Sequence, residues 1–265
     1  MRIIYILLAC SILSVYLLWL GCLKQISKKI ACIGAIISLL LGGVLLLLAV
    51  LPGNSFYGPV LTHINTKDKV IALTFDDGPY PPYTQELLAV LKDKQVPATF
   101  FLVGENAAKH PELVQQLQEQ HHEIALHANI HQDLLKLNKE QLQENINTGK
   151  STLESISGTS IKYMRTPHGF KDWSVMNAIG EAGLQAVNWS IIPRDWTNPG
   201  VETIAERVMK DAKPGAIVLL HDGDSPKQTA SREQTIKATA LIIDKLRAEG
   251  YTFVTISELQ KRSHT

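Results

Sequence analysis

No aspartate or glutamate occurs before Asp68, and no cysteine occurs after Cys32, in this chain of 265 residues. The second absence excludes a disulfide framework and a thiolate metal site from everything beyond residue 32. A metal held there must take its ligands from histidine and carboxylate. The first absence leaves Arg2, Lys24, Lys28 and Lys29 as the only charged side chains of residues 1–66. Setting those four aside leaves 22 basic and 25 acidic residues in 67–265, a net charge of about −3. A mildly acidic domain lacks the basic face that neutralises phosphates, so no nucleic-acid partner is expected. There is also no internal repeat and no low-complexity tract.

Charge is missing altogether from residues 3–23 and 30–51, runs of 21 and 22 positions. Each is long enough to cross a hydrocarbon core of about 30 Å at about 1.5 Å per residue. A signal peptide is the main rival for the first run, but its apolar stretch would be too long and no Ala-x-Ala site follows. Leu7-Leu8-Ala9-Cys10 has the form of a lipoprotein cleavage box, yet only a short apolar stretch separates it from Arg2. Residues 1–51 are therefore expected to form a transmembrane hairpin. The turn 24–29 carries three lysines, which puts it in the cytoplasm and both outer ends outside, with Arg2 and the N-terminal amine weakly opposing. Without intramembrane charge the hairpin reads as an anchor and not as a transport element. Residues 52–66, uncharged and punctuated by Gly and Pro, read as a linker, and 67–265 as one folded domain. The expected location is the cell membrane, multi-pass, with that domain extracytoplasmic.

From Lys67 onward the pattern alternates. Strands are expected at Val70–Thr74, Ala98–Val103, Glu123–Leu126, Ile161–Arg165, Leu184–Trp189, Ala216–His221 and Thr252–Thr255. Helices are expected at Thr84–Asp93, with Thr84 as N-cap, and at 111–120, 139–156, 172–182, 201–211 and 230–249. Alternation of this kind implies a parallel sheet with helices outside, and about seven units imply a barrel or a distorted one. In such folds functional groups gather at the carboxyl ends of strands. Asp76, Asp77, His127, Arg165, Asp195 and His221 all fall at or just after expected strand ends.

Those residue types can do chemistry together. His127 and His131, at i and i+4, would share one face of a helical turn and suit a divalent metal. The pair alone says little, because that spacing is common. Two histidines with one carboxylate leave positions open for water, and Asp76-Asp77 supplies carboxylates that point in different directions from a strand end. One of the two can bind metal while the other stands beside a reacting water. Alone, Asp-Asp-Gly-Pro is an ordinary turn. His221 ends an apolar strand and is suited to general-acid work. Arg165 can clamp a carboxylate in fixed geometry. The combination describes metal-assisted hydrolysis.

The same residues resemble a known family, the NodB-type polysaccharide deacetylases, carbohydrate esterase family four. The resemblance runs from about Val70 to Leu259 through five motifs in order: Thr74-Phe75-Asp76-Asp77-Gly78-Pro79 with Thr84 following, His127-x-x-x-His131, Arg165-x-Pro167-x-Gly169, Asp195-Trp196, and Leu219-Leu220-His221-Asp222. It implies a distorted (β/α) barrel, an α/β fold, and removal of N-acetyl groups from a polysaccharide. It implies Asp76 as general base, and Asp77, His127 and His131 as ligands of a divalent metal, zinc first, with cobalt or manganese as alternatives. It further implies Arg165 pairing with Asp76, Asp195 tuning His221 as general acid, Leu219 lining the acetyl pocket, Trp196 at the groove edge, and the backbone N–H of His168 on the oxyanion.

Two positions depart from the family pattern. Ala128 stands where Ser or Thr usually follows the first histidine, which removes a hydroxyl that shapes the loop. His168 stands where an aromatic usually follows the proline, which bears on substrate preference. The expected substrate is peptidoglycan or another N-acetylglucosamine polymer near the membrane. The alternatives are an O-acetyl esterase of a cell-surface glycan and a non-catalytic glycan-binding homologue.

Overall fold

The computed structural model describes residues 2–264. Two long helices come first, α1 (Ile3–Cys22) and α2 (Lys28–Val50). Most of their apolar side chains are exposed, Leu40 at 63% for example, so neither is the buried core helix of a globular domain. They pack on each other through small residues. Ser14 Oγ donates to Ala35 O at 3.1 Å, and Ser38 Oγ donates to Cys10 O at 2.9 Å. Such contacts hold apolar helices together where burial of apolar surface supplies no drive.

Seven parallel strands follow: β1 (Val70–Asp76), β2 (Thr99–Leu102), β3 (Glu123–Leu126), β4 (Tyr163–Met164), β5 (Gln185–Ala186), β6 (Ala216–His221) and β7 (Thr252–Phe253). Their order is β5-β4-β3-β2-β1-β6, with β7 against the first two residues of β1. Past β5 the chain runs to Ile191, which bridges Val218 of β6. The two ends of the sheet thus approach each other, and the sheet curls into a distorted, incompletely closed barrel. The helices α3 (Tyr83–Lys94), α4 (Gly104–Lys109), α5 (Pro111–Glu119), α6 (Lys139–Ser157), α7 (Trp173–Glu181), α8 (Val201–Asp211), α9 (Glu233–Ala248) and α10 (Ile256–Lys261) complete the α/β fold.

Strand parity sorts the core. Side chains of a strand alternate between faces. Ile71, Leu73 and Phe75 of β1 join the large cluster beneath the helices, with Phe100, Leu102, Leu126, Met164, Val218 and Leu220. Val70 and Ala72 join a second cluster inside the curl, with Phe101, Ala125, Tyr163, Ile217 and Leu219. Continuing that parity sends Asp76, His127, Arg165 and His221 into the interior as well.

Three local expectations are corrected. Thr84 is not an N-cap; α3 starts at Tyr83 with Pro82 before it. His127 and His131 lie on an irregular loop after β3 and not on a helical turn, because Ala128 takes a positive φ of 69° that ends regular structure. The last strand ends at Phe253, since Thr255 caps α10 in a capping box with Glu258. Residues 52–66, expected as a linker, are packed and bonded. Tyr57 is buried, Leu61 N–H donates to Ala186 O at 2.9 Å, and Ile64 N–H donates to Gly215 O at 2.9 Å.

Candidate metal centre and active site

One cavity of about 440 Å³ at the carboxyl end of the sheet is lined by Asp76, Asp77, His127, His131, His168, Leu219, Trp196 and His221. That volume lies within the range of small-molecule sites. Arg165 and Asp195 stand behind this wall, fully buried. The polar residues that the sequence singles out are thus brought together at one place.

Asp77 follows β1 with φ 79°, a turn that aims its carboxylate at the histidine loop. Its carbonyl accepts from Asn106 Nδ2 at 2.9 Å and from Ser225 Oγ at 3.2 Å. Gly223 is required beside it, since a Cβ there would lie 2.4 Å from the Asp77 carbonyl. Asp77 Oδ1 is buried without a hydrogen-bond partner among the described residues. It lies 3.4 Å from His127 Nε2 and 3.3 Å from His131 Nε2. Donor atoms on a tetrahedron with bonds of about 2.0–2.1 Å stand about 3.3–3.4 Å apart. His127 Nδ1 meets Arg165 O at 2.8 Å, which fixes Nδ1 as the protonated nitrogen and turns the Nε2 lone pair toward Asp77. These three residues fit a divalent ion.

Protonation agrees with that role. Burial alone would push the Asp77 carboxyl up, but the neighbouring His127, His221 and His131 outweigh it and hold it below the usual carboxylate range. Burial, then repulsion from His127, lowers His131 to about 4, so its ring is neutral and free to ligate at neutral pH.

The loop carrying the histidines is held without the hydroxyl that Ala128 lacks. Asn145 Oδ1 accepts from Asn129 N–H at 2.9 Å, and Asn145 Nδ2 donates to Ile130 O at 3.3 Å. Gly104 N–H, at the start of α4, donates to Ala128 O at 3.0 Å.

Asp76 lies beside this centre, its Oδ2 3.9 Å from His127 Nε2. Its Oδ1 accepts from Arg165 Nη1 at 2.6 Å. Every nitrogen of the guanidinium is engaged: Nη1 also donates to Thr74 Oγ1, Nη2 to Asn188 O and Nε to Val187 O. The Phe101 ring covers it at 4.0 Å. On the adjacent strand His221 is in register with Asp76. Its Nδ1 meets Asp195 Oδ1 at 2.9 Å. Burial disfavours the charged ring, but Asp195 outweighs it, with Asp77 and Asp76 adding, and raises His221 to about 9. Trp196, 39% exposed, stacks its edge on His221 at 5.2 Å, and exposed His168 contacts His131 at 5.2 Å.

Sequence reasoning missed several lining residues: Pro52, Ile192, Asp224, Ser225 and Arg232. None carried a local signal, because each is brought in by a loop. Thr84, which follows the first motif, donates from Oγ1 to Asp222 Oδ2 at 2.6 Å. Burial pushes that carboxyl up to about 7 despite the bond from Thr84.

The arrangement has close counterparts. Residues 63–187 match the family model described as polysaccharide deacetylase. A peptidoglycan-N-acetylglucosamine deacetylase of Bacillus cereus is 41% identical over 209 residues, covering 78% of this chain and 95% of that protein. A chitooligosaccharide deacetylase of a Bradyrhizobium species is 37% identical over 196 residues, covering 71% and 90%. The solved structure of the peptidoglycan deacetylase PdaC from Bacillus subtilis superposes with a TM-score of 0.68 at 31% identity, covering 76% and 94%. The chain belongs to the polysaccharide deacetylase family, the NodB-type enzymes that remove N-acetyl groups from glycans.

Proposed function

We propose that this chain is a metal-dependent N-deacetylase of an extracytoplasmic polysaccharide, peptidoglycan or another N-acetylglucosamine polymer, anchored by α1 and α2 as a membrane hairpin. The observation that carries the reading is the approach of Asp77, His127 and His131 to within 4.8 Å of one another, flanked by Asp76 and His221. The three would hold a divalent ion, zinc first, with cobalt or manganese as alternatives. The ion would polarise the acetyl carbonyl and acidify a nearby water.

The remaining work falls to the chain. Asp76, with one oxygen held by Arg165, takes the proton of the attacking water on Oδ2. The water oxygen bonds to the acetyl carbon and the carbon–nitrogen bond breaks. His221 gives a proton from Nε2 to the leaving nitrogen, while Nδ1 stays bonded to Asp195. The His168 backbone N–H donates to the developing oxyanion. Leu219 backs the acetyl methyl, and Trp196 and His168 flank the sugar.

Orientation follows from charge. Lys24, Lys28 and Lys29 sit at the turn of the hairpin. Arg2, which opposed them in the sequence, is 7% exposed and lies 3.6 Å from Asp172 of the catalytic domain. An Arg2 paired with Asp172 weighs less against an outward-facing domain, which leaves the N-terminal amine as the opposing charge against three lysines. Peptidoglycan leads among substrates because it is what the Bacillus cereus relative's name specifies.

The test uses the full chain in detergent. Metal is stripped with a chelator, then zinc, cobalt or manganese is restored, and acetate is measured from N-acetylglucosamine oligomers, peptidoglycan and O-acetylated xylan. Metal-dependent release from the N-acetylated glycans, absent in Asp76→Ala, is expected. Release from the xylan alone would replace this reading with an O-acetyl esterase.

A further inference from the structure

Both outer ends of the hairpin are bonded into the catalytic domain. Ile3 N–H donates to Asp172 Oδ2 at 3.0 Å, and Arg2 Nη2 donates to Leu134 O at 2.5 Å. At the other end Lys171 N–H donates to Ala49 O at 3.0 Å. Lys171 Nζ donates to Leu51 O at 2.7 Å and to Pro52 O at 3.3 Å. Lys171 and Asp172 are 1% and 0% exposed, adjacent in the chain. Buried charges need partners, and here much of what satisfies them comes from the hairpin. The anchor is therefore docked in one orientation and does not trail on a flexible tether.

The depth of the docking can be read. Tyr57, outside the hairpin, donates its hydroxyl to Leu45 O at 2.6 Å. Leu45 lies five residues inside the end of α2, about 7 Å along the helix axis. Tyr57, Phe56 and Trp173 form one aromatic cluster there, and Phe56 is 50% exposed. Of these, Trp173, half-buried, is of the kind that favours the headgroup layer.

The catalytic cavity shares that depth. Pro52, two residues past the end of α2, lines the same cavity as Asp77, His131 and His221. Two residues span at most about 7 Å, and the headgroup layer is about 5–7 Å thick on each side. Pro52 is fixed in this wall: its carbonyl accepts from Asn188 Nδ2 at 2.8 Å, and a Cβ on Gly169 would lie 3.2 Å from its Cβ. A sugar in the cavity thus sits level with lipid headgroups.

We propose that the substrate is an N-acetylated saccharide carried on a membrane lipid, deacetylated within the first sugars from the headgroup. This rests on the deacetylase and membrane-anchor readings above. Among N-acetylglucosamine saccharides, peptidoglycan's included, the form still carried on a membrane lipid is the one delivered to a cavity at this height.

The full chain is placed in phospholipid vesicles with an N-acetylglucosamine trisaccharide presented in three ways: coupled directly to a dialkyl lipid, coupled to the same lipid through a poly(ethylene glycol) spacer longer than the domain is tall, or free. Tethering both lipid forms equalises their surface concentration, so only height differs. The direct form is expected to give kcat/KM at least about tenfold above the spaced form. Lys171→Met, which keeps the stem and deletes the bonds to Leu51 and Pro52, is expected to narrow that ratio to within about threefold. Equal or faster turnover of the spaced form overturns the proposal and leaves the deacetylase reading standing. No acetate from any of the three overturns both.

Discussion

Asp195 holds His221 at two points, its Oδ1 meeting Nδ1 at 2.9 Å and its Oδ2 accepting the His221 backbone N–H at 2.9 Å. Thr235 Oγ1 donates to the same Oδ2 at 2.9 Å, so three bonds hold the carboxylate against its ring partner. One buried residue orients the imidazole and contributes most to keeping it charged, with Asp77 and Asp76 adding.

Asp195→Asn is expected to lower kcat by about 10²–10⁴, the usual range for loss of general-acid catalysis. It also moves the alkaline limb of the pH–rate profile. His221 is raised to about 9 chiefly by Asp195 acting against burial, so the acid form persists through neutral pH and is lost as pH rises through that value. A nearby divalent cation disfavours imidazolium, which puts the limb of the loaded enzyme below that. Removing the Asp195 charge shifts the limb further down. An unchanged limb in the variant would assign the acid to another group.

Arg165→Met is expected to be destabilising by about 3–5 kcal/mol, because it leaves the Asp76 carboxylate buried without its partner. It also orphans the Val187 and Asn188 carbonyls that the guanidinium satisfies. Thermal unfolding of the purified chain reads this directly. The double variant Arg165→Met with Asp76→Asn is expected to recover much of the loss, since no buried charge is then stranded.

His131→Ala is expected to weaken metal retention while leaving the fold intact, its ring lining the cavity from an irregular loop outside the sheet. Metal content after dialysis against a mild chelator, with circular dichroism alongside, separates the two. Metal retained at full stoichiometry would mean that His131 is not a ligand.

Thr84→Val removes a hydroxyl that accepts from Tyr80 N–H at 2.8 Å and donates to Asp222 at 2.6 Å, all within a buried contact. The expected cost is about 1–3 kcal/mol, read by urea unfolding. Asp222 is pushed up to about 7, so the folded state holds a proton there that the unfolded state gives up near 4. Stability from this group is therefore present at low pH and is lost as pH rises toward 7.

A chain cut at residue 67 is expected to melt well below one cut at residue 52. The longer form keeps the Leu61 and Ile64 backbone bonds, buried Tyr57, and Pro52 in the cavity wall. Equal melting temperatures would return 52–66 to the status of a passive linker.

Much of the site was legible because parity and motif agree. Asp76, Arg165 and His221 each extend a strand whose alternate residues fill the inner cluster, so their direction follows from their neighbours. The strands at Ile161–Arg165 and Leu184–Trp189 were overlong: only Tyr163–Met164 and Gln185–Ala186 keep ladder pairing, because the sheet curls away there. Helix α4 escaped notice because Gly104–Lys109 is too short and polar to show an apolar period. The capping box at Thr255 and Glu258 was readable but lay under an apparent strand. Pro52, Ile192 and Arg232 left no trace, since only long-range packing brings loops to the cavity.

The register that sets Asp76 opposite His221 acts as a ruler cut into the sheet. A slip of one residue between β1 and β6 would turn every side chain of one strand to the wrong face, so the spacing of the proposed proton acceptor and proton donor is as hard to alter as the fold itself. The walls around them, Ile192 and Trp196 on one loop and Asp224 to Arg232 on another, belong to no strand. Selection, or an engineer, can therefore exchange the glycan this scaffold accepts by rewriting loops while the chemistry keeps its dimensions.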